Sequence, residues 1–129
     1  MALLHELNRA YTAAAPGVVS AAVALTNRFK QLVTTSFATT RRISDYADQL
    51  HVTPNHLSKC VRSVTGRSPG NWLEESIMLE AKVLLAQSTW PIGDIAAAVG
   101  INDASYFSRL FRKHTGLTPL AFRKMIVSS

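Results

Sequence analysis

Residues 92–119, IGDIAAAVGINDASYFSRLFRKHTGLTP, contain the pattern that decides the fold of this 129-residue chain. Four apolar residues recur there at the spacing of one buried helix face: Ile92, Ile95, Ala96 and Val99. Gly100 follows them, and glycine readily adopts the left-handed backbone that ends a helix and turns the chain. The sequence therefore predicts a short helix and then a tight turn at residues 99–101.

A second helix is predicted from about Asp103 to His114. Its inward positions are apolar or aromatic: Tyr106 or Phe107, then Leu110 and Phe111. Its outward positions are small, polar or basic: Ser105, Ser108, Arg109, Arg112 and Lys113. A short helix, a glycine turn and a second helix with such an outer face are typical of the helix-turn-helix, whose second helix reads the major groove of DNA.

The same pattern occurs a second time at residues 43–69, ISDYADQLHVTPNHLSKCVRSVTGRSP. The two copies are offset by 49 residues before the turn and by 50 after it. Repetition at a fixed period indicates a duplicated supersecondary unit. The matched pairs are Ile43 with Ile92, Asp45 with Asp94, Ala47 with Ala96, Ser58 with Ser108, Arg62 with Arg112, Thr65 with Thr115, Gly66 with Gly116 and Pro69 with Pro119. Two helix-turn-helix units on one scaffold are therefore predicted.

The turn of the first unit differs from that of the second, because His51 stands where the second has Gly100. Histidine tolerates a left-handed backbone less freely than glycine does, so we expect a slightly more strained turn. Thr53 is a candidate N-cap of the following helix, and Pro54 suits its first position. That helix is predicted to run to about Val64.

A longer helix, from about Asn71 to Gln87, is predicted to join the two units. Its length of roughly 24 Å would make it a rigid spacer on the scale of the ~34 Å between successive major grooves on one face of DNA. Its buried face is predicted to consist of Leu73, Ile77, Ala81, Leu84 and Leu85. After Pro119 a last short helix is expected to place Phe122 against the second unit and to leave Arg123 and Lys124 exposed.

Residues 1–40 are predicted to form a helical lead-in, with one helix in residues 1–15 and another from about Val18 to Phe37. The apolar stripe of the second helix is Val18, Ala22, Leu25, Phe29, Leu32 and Val33. These helices either pack on the domain that follows them, or belong to a larger N-terminal domain, a dimerising element or a signal-relaying connector. The joint with the repeats is expected at Phe37–Arg42.

The composition favours a folded, basic protein of one domain or one small bilobed unit. Apolar residues make up 47% of the chain and charged residues 17%, unlike a disordered segment. The formal net charge of +6 favours a polyanionic partner. The single cysteine, Cys60, excludes an intramolecular disulfide and a cysteine-rich metal site, and it is consistent with a reducing cytoplasm. No secretory signal or membrane span is predicted.

An enzyme is the rival functional class, and the sequence offers it little support. The four histidines lack the spacing of a metal site, and the chain has no glycine-rich phosphate loop or nucleophile elbow. Cys60 aligns with Leu110, an apolar position of the repeat, so a core thiol is predicted. We therefore expect no catalysis, no cofactor and no metal. A second alternative is a protein-interaction module that uses the helix at residues 18–37 and binds no DNA strongly.

From Ile43 to Arg123 the chain resembles the DNA-binding domain of the AraC/XylS family of bacterial transcription regulators. The residues that carry the resemblance are IGDIAAAVGINDASYFSRLFRKHTGLTPLAFR in the second unit, and NHLSKCVRSVTGRSP with EAKVLLAQS upstream of it. The resemblance implies an all-α fold with one helix joining the two units. It places helix-turn-helix units at about residues 43–66 and 92–116, inside a DNA-binding domain of residues 41–129.

The resemblance also implies a function and partners. Members of the family bind asymmetric promoter sites in double-stranded DNA through both second helices, and usually activate transcription by contacting RNA polymerase. Such a regulator works in the cytoplasm, at the nucleoid. Residues 1–40 look like the lead-in that follows the sensor domain of longer members. The chain would then be part of a longer protein whose sensor domain binds a small-molecule effector; the alternative is a short, free-standing regulator controlled by its abundance.

Matching the family's pattern assigns groove-facing positions in both second helices. In the first unit they are Asn55, His56, Ser58, Lys59 and Arg62. In the second unit they are Asp103, Ala104, Ser105, Tyr106, Ser108, Arg109, Arg112 and Lys113. Lys59 and Arg109 occupy equivalent positions and are the expected readers of guanine O6 and N7. Asn55 is expected to pair with adenine, whereas Arg112 and Lys113 are expected to neutralise phosphate.

Overall fold

The computed structural model describes residues 16–128. Over this range the chain is helical and contains no strand: α1 (Pro16–Ser36), α2 (Ile43–Gln49), α3 (Pro54–Thr65), α4 (Pro69–Gln87), α5 (Ile92–Ala98), α6 (Ala104–Thr115) and α7 (Pro119–Ser128). The predicted all-α fold, with two helix-turn-helix units and a long helix between them, is confirmed. The helix predicted in residues 1–15 lies outside the described residues. Of the helices described, none is long and apolar enough to cross a membrane.

The chain divides into two compact units, and each of them holds one helix-turn-helix. Of the described residues, the first unit contains 16–32 together with Arg42–Pro69, and so includes α2 and α3. The second contains Val33–Arg41 together with residues 70–128, and so includes α5, α6 and α7. The predicted joint, Phe37–Arg42, contains one of the points at which the chain passes from one unit to the other.

The core of the first unit forms where α1 meets the helix-turn-helix. Phe29 of α1 and Tyr46 of α2 are both fully buried, and their rings meet edge to face with centroids 5.6 Å apart. Thr26 of α1 is also buried, and its hydroxyl donates to the carbonyl oxygen of Cys60 at 3.5 Å. Within this unit α1 therefore packs on the helix-turn-helix that follows it. That residues 1–40 also belong to a larger N-terminal domain, a dimerising element or a connector stays a prediction.

The core of the second unit combines the apolar faces of α4, α5 and α6. Phe122 of α7 meets Phe111 of α6 edge to face, with ring centroids 5.4 Å apart, as the sequence predicts. The prediction that Leu84 is buried is wrong, because Leu84 is partly exposed and Met78 is buried instead. These two residues lie on opposite flanks of the buried stripe of α4. The buried face of α4 therefore extends to the Met78 flank and not to the Leu84 flank.

Both second helices begin with a side-chain cap. In the first unit Thr53 Oγ1 accepts a hydrogen bond from the backbone N–H of His56 at 3.1 Å, which confirms the predicted cap. In the second unit Asp103 Oδ1 accepts from the backbone N–H groups of Ser105 and Tyr106, at 2.9 and 3.2 Å. These N–H groups have no partner inside the helix, so the caps fix where α3 and α6 begin.

Both turns contain a left-handed residue, as the sequence predicts: φ is 60° at His51 and 89° at Gly100. His51 is the one non-glycine residue with a positive φ in the part of the chain described. Gly100 is under a second constraint, because a Cβ atom there would collide with the carbonyl group of Ala38. Nearby, Nη1 of Arg41 donates to the carbonyl oxygen of Gly100 at 2.6 Å. Residues 38–41 therefore lie against the turn of the second unit, to which they belong.

The prediction that Arg123 is exposed is wrong. Its guanidinium donates hydrogen bonds to the carbonyl oxygens of Leu85, Ser88 and Trp90, at 3.2, 3.2 and 2.7 Å. These oxygens lie in the last turn of α4 and in the segment before α5, and the last carbonyls of a helix lack partners within it. Arg123 therefore caps the end of α4 from α7. Lys124 is exposed, as predicted.

Candidate nucleic-acid interface

The second helix of the first unit, α3, has one buried and one exposed face. Leu57 and Val61 are fully buried and hold the helix on its unit. The opposite face carries the predicted residues, of which Ser58 is partly exposed and the others are exposed: Asn55, His56, Lys59 and Arg62. All five line one open depression of the surface. The structure therefore brings the predicted residues of this unit together.

Helix α6 of the second unit is arranged in the same way. Phe107, Leu110 and Phe111 are buried, so Phe107 occupies the inward position that the sequence left open between it and Tyr106. Tyr106 is 40% exposed. The other predicted outward residues are Ser105, Arg109, Arg112 and Lys113, which are exposed, and Ser108, which is partly exposed. We call this face of α6, and the corresponding face of α3, the reading faces.

Arg109 lies over the ring of Tyr106, which is one helical turn before it. The Cζ atom of Arg109 is 6.0 Å from the ring centroid, which is within the range of a cation–π interaction. The guanidinium is planar and carries donors that suit two adjacent acceptors. The ring therefore holds this donor group on the reading face of α6, at the position predicted to contact base edges.

The start of α6 borders a second open depression, formed partly by residues that the sequence did not indicate. Its lining consists of Ala104, Ser105, Ser108 and Arg109, with Ile92 and residues 118–120. Residues 118–120 follow α6 in the chain, and only the folded unit brings them beside its first turn. Asp103 is outside this lining, and its carboxylate is occupied by the capping hydrogen bonds to the backbone of α6.

The reading faces carry positive charge that their own helices do not balance. Helix α3 contains Lys59 and Arg62, helix α6 contains Arg109, Arg112 and Lys113, and neither helix contains Asp or Glu. Arg112 and Lys113 lie in the last turn of α6, where a positive charge is also favoured by the helix dipole. A polyanion lying along either face would meet cations and hydroxyl donors but no carboxylate from the helix itself.

The prediction of a core thiol at Cys60 is wrong. Cys60 is partly exposed, whereas Leu110, its counterpart in the second unit, is buried. Its Sγ lies 3.6 Å from Nε2 of His56, one turn earlier on α3, so the thiol borders the reading face. Within the described range, no group of three or more His, Cys, Asp or Glu could hold a metal ion.

Known proteins resemble this chain in both sequence and fold. Residues 46–125 match the family model of a helix-turn-helix domain. The arabinose operon regulatory protein of Escherichia coli strain K12 is 37% identical over 81 residues, which are 63% of this chain and 28% of that protein. The C-terminal domain of AraT, a response regulator from Geobacillus stearothermophilus, superposes with a TM-score of 0.76 at 29% identity, over 78% of this chain and 84% of that one. The DNA-binding domain of AdpA, in complex with a target DNA, shares the fold with a TM-score of 0.69 at 21% identity, over 85% and 93% of the two chains.

The matched region contains both reading faces, since α3 and α6 lie wholly inside residues 46–125. The chain spans from 28% to 39% of the length of the curated relatives that it matches. The family model nevertheless covers more than half of this chain. The chain therefore belongs to the AraC/XylS family and carries its helix-turn-helix domain.

Proposed function

We propose that the chain is a sequence-specific DNA-binding transcription regulator, and an activator, which inserts α3 and α6 into successive major grooves of promoter DNA. The observation that carries this proposal is the repeated reading face, in which basic and small polar side chains stand opposite a buried apolar face. Cations attract the phosphates, and side-chain donors can reach base edges in the major groove. Membership of the AraC/XylS family, and a DNA complex of the same fold in AdpA, support the same function.

The residues of the reading faces are assigned two kinds of contact. Lys59 and Arg109 donate to guanine O6 and N7, and Asn55 pairs with adenine. Phosphate contacts come from Arg62, Arg112 and Lys113, and they position each helix without selecting a sequence. The small residues let the helices approach the groove closely: Ser58, Ala104, Ser105 and Ser108. His56, Asp103 and Tyr106 complete the predicted set.

The wider role of the chain is inferred from its relatives. RhaR of Yersinia pseudotuberculosis, 32% identical over 87 residues, is named as a transcriptional activator. We infer that this chain likewise contacts RNA polymerase, acts in the cytoplasm at the nucleoid, and takes any effector signal through a separate sensor domain.

We assign it no catalytic role. AdaA of Bacillus subtilis is named as both an activator and a DNA repair enzyme, but the matched part is 39% of that protein.

The alternative, a protein-interaction module built on α1, is less well supported. Leu25 and Phe29, which belong to the predicted apolar stripe of that helix, are buried in the first unit. A helix whose apolar side chains already fill a core has less apolar surface to offer a partner.

Selection from a pool of random DNA duplexes tests the proposal. The wild-type chain, Arg109→Ala and the charge-matched control Lys124→Ala are each bound to the pool, and the retained duplexes are sequenced. We expect two short preferred blocks about one helical turn apart. Arg109→Ala is expected to lose the preference for one base pair within one block, and Lys124→Ala to keep both blocks unchanged.

The selection experiment has two other possible results, and each has a different meaning. Binding that falls steeply with salt but selects no sequence would show contact with phosphates alone. An absence of binding at low salt would overturn the proposal and favour the protein-interaction module, whose apolar contacts would depend little on salt.

A further inference from the structure

The two reading faces have corresponding positions in the repeat, but the cations at residues 59 and 109 have different neighbours. At the offset of 50, Tyr106 corresponds to His56, and Arg109 corresponds to Lys59. In the second unit the guanidinium lies 6.0 Å from the centroid of the tyrosine ring. In the first unit the imidazole Nε2 is 3.6 Å from Sγ of Cys60. Lys59 makes no hydrogen bond, ion pair or ring contact within the described part of the chain.

The backbone of Tyr106, whose ring lies beside Arg109, is fixed at the start of α6. The backbone N–H of Tyr106 donates to Oδ1 of Asp103 at 3.2 Å. The next residue, Phe107, is fully buried and anchors the same turn in the core. Because Tyr106 is on the first turn of a capped and anchored helix, the point from which its ring extends towards Arg109 is defined.

We expect the guanidinium of Arg109, which lies against a ring, and the ammonium of Lys59, which does not, to discriminate between bases to different extents. A side chain that is already confined loses less conformational freedom on binding. The guanidinium fork matches O6 and N7 of guanine, and opposite other bases its donors are left without acceptors. The lysine ammonium is a compact charge with three rotatable donors on a flexible stem, so it can turn towards several acceptors. The cation held by a ring is therefore the more selective one.

We propose that Tyr106 is a specificity-determining residue that positions Arg109, which makes the second unit the stringent reader of a guanine and the first unit a permissive one. This inference rests on the proposed function of α3 and α6. It adds that one half of the DNA site depends on a particular guanine, whereas the half read by Lys59 tolerates substitution.

The test measures base discrimination rather than overall affinity. The chain is bound to the duplex obtained by selection, and to the same duplex with the guanine·cytosine pair read by Arg109 changed to adenine·thymine. That pair is the one at which Arg109→Ala loses its preference. The ratio of the two dissociation constants is then measured for wild type, Tyr106→Leu, Tyr106→Phe and the matched first-unit variant His56→Leu. Urea unfolding of each variant checks that the fold is retained.

Tyr106→Leu, which removes the ring, is expected to lower the ratio about two- to fivefold, the size of an exposed cation–π interaction. Tyr106→Phe keeps the ring and is expected to retain the ratio, and His56→Leu is expected not to change it at this base pair. In an Arg109→Ala background, Tyr106→Leu is expected to have no further effect on the ratio, because no guanidinium remains to be positioned. The pair read by Lys59 is the one at which Lys59→Ala loses its preference. The wild-type ratio at that pair is expected to be smaller than the ratio at the pair read by Arg109.

Three results would overturn the inference while leaving the proposed function intact. They are an unchanged ratio in Tyr106→Leu, an equal loss in Tyr106→Phe, and a larger wild-type ratio at the pair read by Lys59. An absence of any base preference in the wild-type chain would overturn the proposed function, and this inference with it.

Discussion

Arg41 donates a hydrogen bond from Nη1 to the carbonyl oxygen of Gly100, which is 2.6 Å away and 59 residues further along the chain. Ala38, three residues before Arg41, presents its carbonyl group to the position that a Cβ of Gly100 would occupy. The segment that follows α1 thus covers the turn between α5 and α6. The missing side chain of Gly100 is what permits this close approach.

Gly100→Ala is expected to destabilise the fold more than Gly116→Ala does. Both glycines have a positive φ, 89° and 82°, and a left-handed alanine costs roughly 1–2 kcal/mol at either position. Only the new Cβ at residue 100 would also collide with Ala38, since nothing lies within 4 Å of a Cβ at residue 116. Urea unfolding measures the free energy of unfolding of both variants. Equal losses would contradict the close approach to Ala38.

Arg123→Ala is expected to lower the free energy of unfolding by about 1–3 kcal/mol, because three backbone carbonyl oxygens at the end of α4 and after it lose a charged donor. Lys124→Ala is the matched control, since it removes the same charge from an exposed side chain of the same helix. Thermal or urea unfolding of the two variants gives the comparison. If the control lost as much stability as Arg123→Ala, the capping role of Arg123 would be refuted.

Asp103→Ala is expected to cost about 0.5–2 kcal/mol of stability, because α6 loses its N-cap. Asp103→Asn is the informative comparison, since its side-chain oxygen can still accept from the N–H groups of Ser105 and Tyr106. We expect the asparagine variant to stay close to the wild type in chemical unfolding. A loss as large as that of the alanine variant would mean that the carboxylate charge stabilises the helix start, rather than the hydrogen bonds.

Lys113→Ala is expected to weaken binding to all DNA sequences by a similar factor. If Lys113 neutralises one phosphate, the slope of log K against log salt should become shallower by about 0.9. Arg109→Ala should instead change the preference for one base pair. Titrations at several salt concentrations, with a selected and a scrambled duplex, separate the two effects. A change of sequence preference in Lys113→Ala would show that Lys113 contacts a base rather than a phosphate.

The helices and their faces could be predicted because burial repeats with the period of the helix. Leu110 and Phe111 are predicted to face inward and are buried, whereas the spacing leaves the choice between Tyr106 and Phe107 open and the structure buries Phe107. The reading faces follow from the same reasoning, because whatever is opposite a buried stripe is exposed. The contacts that these faces make with DNA stay predictions.

The contacts that no local pattern predicts are those between a side chain and a distant backbone. Arg123 reaches carbonyl oxygens from 33 to 38 residues earlier in the chain. Gly100 predicted a turn, but nothing near it in the sequence indicates that Ala38 and Arg41 pack against that turn. Such contacts depend on how whole helices meet, and a charged residue near the C-terminus is expected on the surface until its partners are known.

The left-handed residues of the two turns show that the turn of one duplicated unit cannot simply replace the turn of the other. At residue 51 a histidine is tolerated at a φ of 60°, whereas at residue 100 a Cβ atom would collide with the Ala38 carbonyl in addition to the strain of a left-handed backbone. A chimera that carried the first unit's turn in the second would force an imidazole into that carbonyl. Engineering of new DNA preferences in this scaffold is therefore best confined to the outer faces of α3 and α6, with each turn left in its own unit.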